Sequence, residues 1–164
     1  MLKRLENFLK KSKVVYKLIP HRTVYTTFDL SQTLHEDLKA IAKTLLVQAD
    51  REFVFAVVPG NRRLDIVKLK KLINVDRKKR GEEPLCQKVR IANEAQIKIN
   101  ITKKAGTLVP FGSLHKKKTY IDQSLLKNKK IILNAGSFQE AIKITTSVYC
   151  KIENPVAGVI SKAR

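Results

Sequence analysis

The sequence predicts a mixed α/β (α+β) domain in which a mostly antiparallel sheet is flanked by helices. Three observations point there. Short apolar runs rich in β-branched and aromatic residues recur along the chain. Amphipathic segments with three-to-four-residue spacing lie between them. The two kinds do not alternate strictly, which disfavours a doubly wound parallel sheet. A chain of 164 residues that is 43% hydrophobic suits one domain, residues 1–164, around one core.

The elements follow in order. Leu2, Leu5, Phe8 and Leu9 recur at helical spacing among lysines and arginines, so residues 2–11 read as a basic amphipathic helix. Such a helix either packs on its own sheet, the favoured reading, or lies on a membrane surface. Residues 14–19, VVYKLI, suit a strand. Thr26 and Asp29 have capping-box spacing, and Leu30, Leu34, Leu38 and Ile41 form the stripe of a helix, or broken helix, reaching about residue 42. Residues 44–49 and 53–59 are two apolar strands around a turn at Asp50–Glu52. Asp65 caps a third helix whose Ile66, Leu69, Leu72 and Ile73 face inward. Residues 75–88 are polar, with Gly81 and Pro84 and no usable period, and read as an exposed basic loop or insertion, extending to about residue 90. Residues 93–99 suggest a short helix. Residues 119–122, 130–135 and 140–145 read as strands, and 146–152 as helical.

Charge is the strongest compositional signal. The chain has 34 Lys and Arg against 14 Asp and Glu, a formal +20. Self-repulsion on this scale usually answers to a polyanion, although drift of surface positions to lysine gives the same count. The two cysteines, Cys86 and Cys150, form no metal-type pair, and no signal peptide or run of ~20 apolar residues is present. A cytoplasmic protein without membrane attachment is expected. His21, His35 and His115 show no metal-ligand spacing, so neither a metal nor another cofactor is expected. Phosphate-binding loops and serine-nucleophile elbows are also absent.

Two features could carry chemistry. Lys43 sits where a helix gives way to a buried strand. It is either a pointed anchor for a phosphate, hydroxyl or carbonyl, or an ordinary lysine favouring a helix C-terminus. The segment AGTLVPFG (105–112) places Gly106 and Pro110 in a stiff loop. Its N–H groups could converge on a carbonyl oxygen or oxyanion, or it could be a plain turn.

Six blocks in order, PHRTVYTTFD, AKTLLV, VFAVVPGNRRLD, GTLVPFG, TYID and NAGSFQEAIKI, resemble the YbaK-type aminoacyl-tRNA editing domain. That fold is shared with the insertion domain of bacterial prolyl-tRNA synthetases. The resemblance runs from about Leu5 to Ile152. It implies a trans-editing deacylase that hydrolyses the ester of a mischarged tRNA carrying a small amino acid. The alternative is an inactive module on the same fold that binds tRNA or another nucleic acid, or regulates a partner. Lys43 matches the family's lysine, which engages the terminal adenosine, with Thr44 beside it. Gly106, Thr107, Leu108, Val109 and Pro110 match its GxxxP loop, which holds the aminoacyl group, with Phe111 and Gly112 following. His21 matches a histidine before the first helix, and Asn134, Ala135 and Gly136 match a small-residue turn lining the pocket. Glu140 is nearest to an acidic position that some members carry. The implied partners are mischarged tRNA and an aminoacyl-tRNA synthetase, and the protein is expected to be a monomer. Arg77, Lys78, Lys79 and Arg80 in the insertion, with Lys103, Lys104, Lys116, Lys117 and Lys118 around the GxxxP loop, are candidates for backbone phosphate contacts. In this mechanism a ribose hydroxyl of the tRNA or an ordered water supplies the attacking or proton-shuttling group, and the protein supplies position and oxyanion stabilisation.

Overall fold

The central strand explains the architecture. The computed structural model describes residues 1–102 and 105–164, and within it β3 (Glu52–Pro59) is buried on both faces. Val54, Ala56 and Val58 point to one side and Val57 to the other, as a strand's period of two requires. An uninterrupted apolar run is the pattern of a strand covered on both faces. Around it lies a five-stranded sheet in the order β5 (Val89–Ile91), β2 (Ala42–Ala49), β3, β6 (Thr119–Asp122), β9 (Val156–Gly158). The β2–β3 and β2–β5 pairings are antiparallel, and β3–β6 and β6–β9 are parallel.

On one face α3 (Ile66–Lys79) buries Leu69 and Ile73 against Val47, Val54, Ala56 and Val58. On the other, α1 (Lys3–Lys11) and α5 (Thr146–Glu153) bury Leu5, Leu9 and Tyr149 with Val57, Phe111 and Ile121. A second, antiparallel sheet, β1 (Lys17–Pro20), β8 (Glu140–Thr145), β7 (Lys130–Ser137), supplies Leu133, Ile142 and Ile144 to that core. The helix α2 (Thr27–Leu34) packs Leu30 with Val24, Ile41 and Ile132. A short pair, β4 (Arg62–Leu64) with β10 (Ser161–Ala163), is also antiparallel. The expected mostly antiparallel mixed architecture is therefore present, divided among three sheets.

Several boundaries differ from expectation. The first strand begins at Lys17 rather than Val14, and Val15 is largely exposed. The capping residues hold: Thr26 Oγ1 accepts the Asp29 N–H at 3.0 Å and Asp65 accepts the Lys68 N–H at 3.1 Å. Asn93 and Gln96 form a reciprocal capping box for α4 (Glu94–Asn100). The second helix stops at His35, which is left-handed (φ 54°), and a single 3-10 turn over Leu38–Ala40 precedes β2. The stretch 75–88 is not loop throughout. Helix α3 continues to Lys79, because Asp76 and Arg77 turn inward and are buried. Charged residues at core-facing helical positions obscure the period when their partners come from elsewhere in the chain. The helix α1 lies on the core through Leu5 and Leu9, which accounts for its apolar face without a membrane.

Candidate functional site

The site forms along an interrupted sheet edge. Ile41, immediately before β2, forms an isolated bridge to Ile132 of β7, and β5 reaches only Val47–Ala49 on β2. Between these attachments Ala42, Lys43, Thr44 and Leu45 line a cavity of about 500 Å³. Gly106 and Leu108 close it from the GxxxP segment, Asn134 from β7, and Tyr25 to Phe28 from the start of α2. Arg164, delivered by β10, completes the lining. A smaller recess of about 70 Å³ shares Tyr25, Thr26, Thr27, Ala42, Gly106 and Asn134 with it. The recess adds His21, Ser137, Phe138 and Glu140.

Among the described residues the Lys43 ammonium has no hydrogen bond or ion pair. Burial, and secondarily the Arg164 charge, hold its pKa below the usual lysine value. The Thr44 hydroxyl oxygen is buried and has no partner either. No Asp or Glu lines the larger cavity. A half-buried, unpaired cation in such surroundings is suited to an anionic or strongly polar ligand.

The GxxxP segment is two-sided. Gly106 faces the cavity, and a Cβ there would come within 2.8 Å of the Phe138 ring. A 3-10 turn spans Ala105–Thr107. Beyond it the chain enters the core. The Pro110 carbonyl accepts the Tyr149 hydroxyl, and Phe111, fully buried, packs edge-on against Phe8. The Gly112 N–H donates to Thr119 Oγ1 at 2.9 Å. Glu153 then accepts from the Ser113 N–H at 3.2 Å, the Ser113 hydroxyl, and the Thr119 hydroxyl at 2.6 Å. Burial pushes the Glu153 carboxyl pKa up, and these hydrogen bonds only partly oppose it.

Of the expected site residues, the structure brings Lys43, Thr44, Gly106, Leu108, Asn134, His21 and Glu140 to the cavity and its recess. It does not bring Pro110, Phe111, Gly112 or Ala135, all buried in the core. Thr107, Val109 and Gly136 border a separate pocket behind the loop, with Leu2 and His115. Gly136 has φ +91°, and a Cβ there would meet Leu2 at 2.5 Å, so its role is local backbone packing. Glu140 also pairs with the Met1 ammonium.

The cationic candidates divide in the same way. Arg77 is buried and bonds to Glu52 at 3.0 Å and the Pro84 carbonyl at 3.2 Å. Arg80 pairs with Asp76 at 2.8 Å and with Glu82. Lys118 pairs with Asp76 at 2.9 Å. Burial alone would raise the Asp76 carboxyl. Hydrogen bonds from Lys118, Arg80 and Tyr120 outweigh it and hold the pKa below the usual range. Arg77, Arg80 and Lys118 are thus engaged in the fold. Lys78, Lys79 and Lys116 are exposed, and Lys117 lies over the Phe53 ring at 5.8 Å. Lys103 and Lys104 fall outside the described residues.

Tyr25, Thr27, Phe28 and Arg164 were missed as site residues. The first three lie inside the PHRTVYTTFD block, where the capping spacing of Thr26 and Asp29 was the visible signal. Nothing local marks Arg164. Its place depends on β10 pairing with β4.

The lining holds no assembled nucleophile. His21 Nδ1 contacts the Arg22 carbonyl at 2.6 Å, whereas the Ser137 hydroxyl faces Glu140 at 3.5 Å. No group of three or more His, Cys, Asp or Glu residues able to hold a metal occurs among the described residues. No described helix is long and apolar enough to cross a membrane.

No curated protein matches the chain in sequence. Among solved structures, a protein described as hypothetical superposes with TM-score 0.81 at 20% identity, over 97% of this chain and 99% of its own. A candidate trans-editing enzyme for prolyl tRNA synthetase gives TM-score 0.75 at 18% identity, over 98% and 96%. A candidate signal transduction protein from Marinobacter aquaeolei gives 0.66 at 15%, this chain matching 31% of its length. At such identities these likenesses concern the fold. The family model for the aminoacyl-tRNA editing domain matches residues 21–152, a span containing β2, the Gly106 loop and β7, and the chain belongs to that family.

Proposed function

We propose that the protein is a trans-editing deacylase that hydrolyses the ester of a mischarged tRNA bearing a small amino acid. The observation that carries this reading is Lys43, an unpaired, half-buried cation in the same cavity as Gly106. In this reading Lys43 engages the 3′-terminal nucleotide while the N–H groups of the Gly106 loop face the ester carbonyl. The recess of about 70 Å³ beyond Gly106 suits a short amino-acid side chain.

The chemistry needs no protein nucleophile. A water held in the cavity attacks the carbonyl, and the ribose hydroxyl next to the ester relays its proton to the leaving ribose oxygen. Negative charge builds on the carbonyl oxygen until the C–O bond to the ribose breaks and the free amino acid departs. One preorganised donor aimed at that oxygen is worth about 2.7–4 kcal/mol. An aminoacyl ester is labile, so positioning and one or two such donors suffice. The +20 charge supports recruitment of the polyanion through counterion release, with a log–log salt slope of roughly −0.7 to −0.9 per phosphate contacted.

The test is a deacylation screen of Ala-, Cys-, Ser- and Pro-charged tRNAs with wild type and Lys43→Ala side by side. Acceleration of at least one ester, lost in Lys43→Ala with its melting temperature kept, supports the proposal. Rates equal to buffer across the screen, with tRNA binding intact, would leave the inactive binding module as the reading.

A further inference from the structure

The mouth of the large cavity carries three groups that hydrolysis of the ester does not call for. Phe28 is 57% exposed and Tyr25 is 71% exposed, large apolar areas to leave in water. Tyr25 packs edge-on against Phe138, with ring centroids 4.9 Å apart, which holds it in place. Phe28 has no ring partner among the described residues and stands on the first turn of α2. Both line the cavity that also holds Arg164 and Lys43, and no Asp or Glu lines it. Arg164 is an exposed cation that lines the same cavity as Lys43, and after burial its charge further lowers the Lys43 pKa. Two like charges in one cavity repel each other unless an anion comes between them.

Aromatic faces beside paired cations are the chemistry of single-stranded nucleic acid, where bases stack and phosphates meet the positive charge. Duplex RNA offers no free base faces, so this mouth fits unpaired nucleotides. We infer that Phe28 and Tyr25 form a stacking platform and that Arg164, beside Lys43, forms a phosphate seat, which together grip an unpaired nucleotide at the 3′ end of the RNA. The inference rests on the proposed function for the identity of that RNA. It adds three positioning residues: Phe28 and Arg164, which line only the large cavity, and Tyr25, which stands between that cavity and the recess. The C-terminal β10 strand thereby becomes part of the substrate channel.

The same nucleotide chemistry could come from a free mononucleotide, so the experiment separates the two sources. Affinities are measured by calorimetry with full-length wild type, Phe28→Ala, Tyr25→Ala and Arg164→Gln. The probes are uncharged tRNA, the same tRNA lacking its unpaired 3′ nucleotides, AMP, adenosine and inorganic phosphate. Wild type should bind the intact tRNA about tenfold more tightly than the truncated one, as expected for one or two stacked bases. Phe28→Ala should erase most of that difference without changing affinity for the truncated tRNA, and Tyr25→Ala should reduce it. Arg164→Gln should weaken binding of intact tRNA and lower its salt slope by about 0.7, the value for one single-strand phosphate. Tighter binding of AMP than of intact tRNA would identify a free mononucleotide as the occupant and overturn the RNA assignment. Equal affinity of wild type for the two tRNAs, or Phe28→Ala and Arg164→Gln variants that bind like wild type, overturns the platform. These readouts are independent of turnover. A binding pattern as expected without hydrolysis removes the deacylase and keeps the grip. Hydrolysis with unaltered binding in the variants does the reverse.

Discussion

Gly106 and Leu108 face the cavity, whereas Pro110, Phe111 and Gly112, a few residues further along the same segment, are sealed in the core. The second half is tied by Tyr149 to the Pro110 carbonyl, by Thr119 to the Gly112 N–H, and by Glu153 to Ser113. Gly106 and Leu108 have no side-chain clamp to α5 among the described residues. The difference separates presentation from anchoring. A loop that offers its backbone to a ligand must be held from behind, because a donor that moves by an ångström forfeits much of its effect. Here α1, α5 and β6 do the holding, and the open edge of β2 supplies the room.

The largest effect should come from the cavity side. Lys43→Ala should lower kcat/KM by roughly 10²–10³-fold, the scale of losing one preorganised electrostatic contact. Steady-state deacylation, with a thermal melt as control, measures it. A variant within a factor of two of wild type would show that Lys43 is a bystander. Gly106→Val should cost about tenfold to a hundredfold in rate, on the scale of a reacting group displaced by an ångström, because its side chain meets the Phe138 ring and intrudes on the cavity. Its melting temperature should hold nearer to wild type than that of any change at Phe111.

On the anchoring side the expected loss is stability first. Glu153→Ala strands the buried Thr119 hydroxyl and removes the partner of the Ser113 N–H and hydroxyl, and should destabilise by about 1–3 kcal/mol. Urea denaturation reads this directly. Activity should fall with stability, unlike Lys43→Ala, where the two separate.

Two of the buried carboxylates, Glu153 and Asp76, give the comparison a pH axis. Burial raises the folded-state pKa of Glu153, so its contribution is full below the ordinary glutamate value of about 4.3 and is lost as pH rises through the folded value. Asp76, held low by three donors, behaves oppositely. Its contribution is full above about 3.9 and disappears as pH falls through the lower folded value. Glu153→Gln should therefore flatten the loss of stability towards neutral pH, and Asp76→Asn should flatten the loss in acid. Matching urea midpoints for wild type and both variants at every pH would refute this pairing. The smallest effect belongs to the exposed cations. Lys116→Gln should change turnover little and reduce the tRNA salt slope by roughly 0.7–0.9, whereas Arg77→Gln should cost stability instead, since Arg77 already has Glu52 as its partner.

Much of the fold and part of the site were legible in the chain. Apolar runs marked β2, β3, β7 and β8, and periods of three to four marked α1 and the start of α3, because burial writes itself into neighbouring positions. Residues capping α2 and α3 were readable for the same reason, since a cap acts within one turn, whereas the Asn93 cap of α4 was not singled out. Lys43, Thr44, Gly106, Leu108 and Asn134 were legible as a family pattern, and the cavity unites them. The short strands β4, β5, β9 and β10 were not, because three residues carry no period. The inward turn of Asp76 and Arg77 was hidden too, since their partners Lys118, Tyr120 and Glu52 lie far away in the sequence.

By itself, then, the sequence determined the fold class, the strong positive charge and the residues that pair lysine with a glycine–proline loop. These depend on composition and near-neighbour spacing. Only the tertiary structure decided which half of that loop meets the cavity and which cations are already neutralised. It also brought Phe28, Tyr25 and Arg164 to one mouth. Those facts depend on which strand edges stay open and which distant side chains meet, and distances through space are not written in local order.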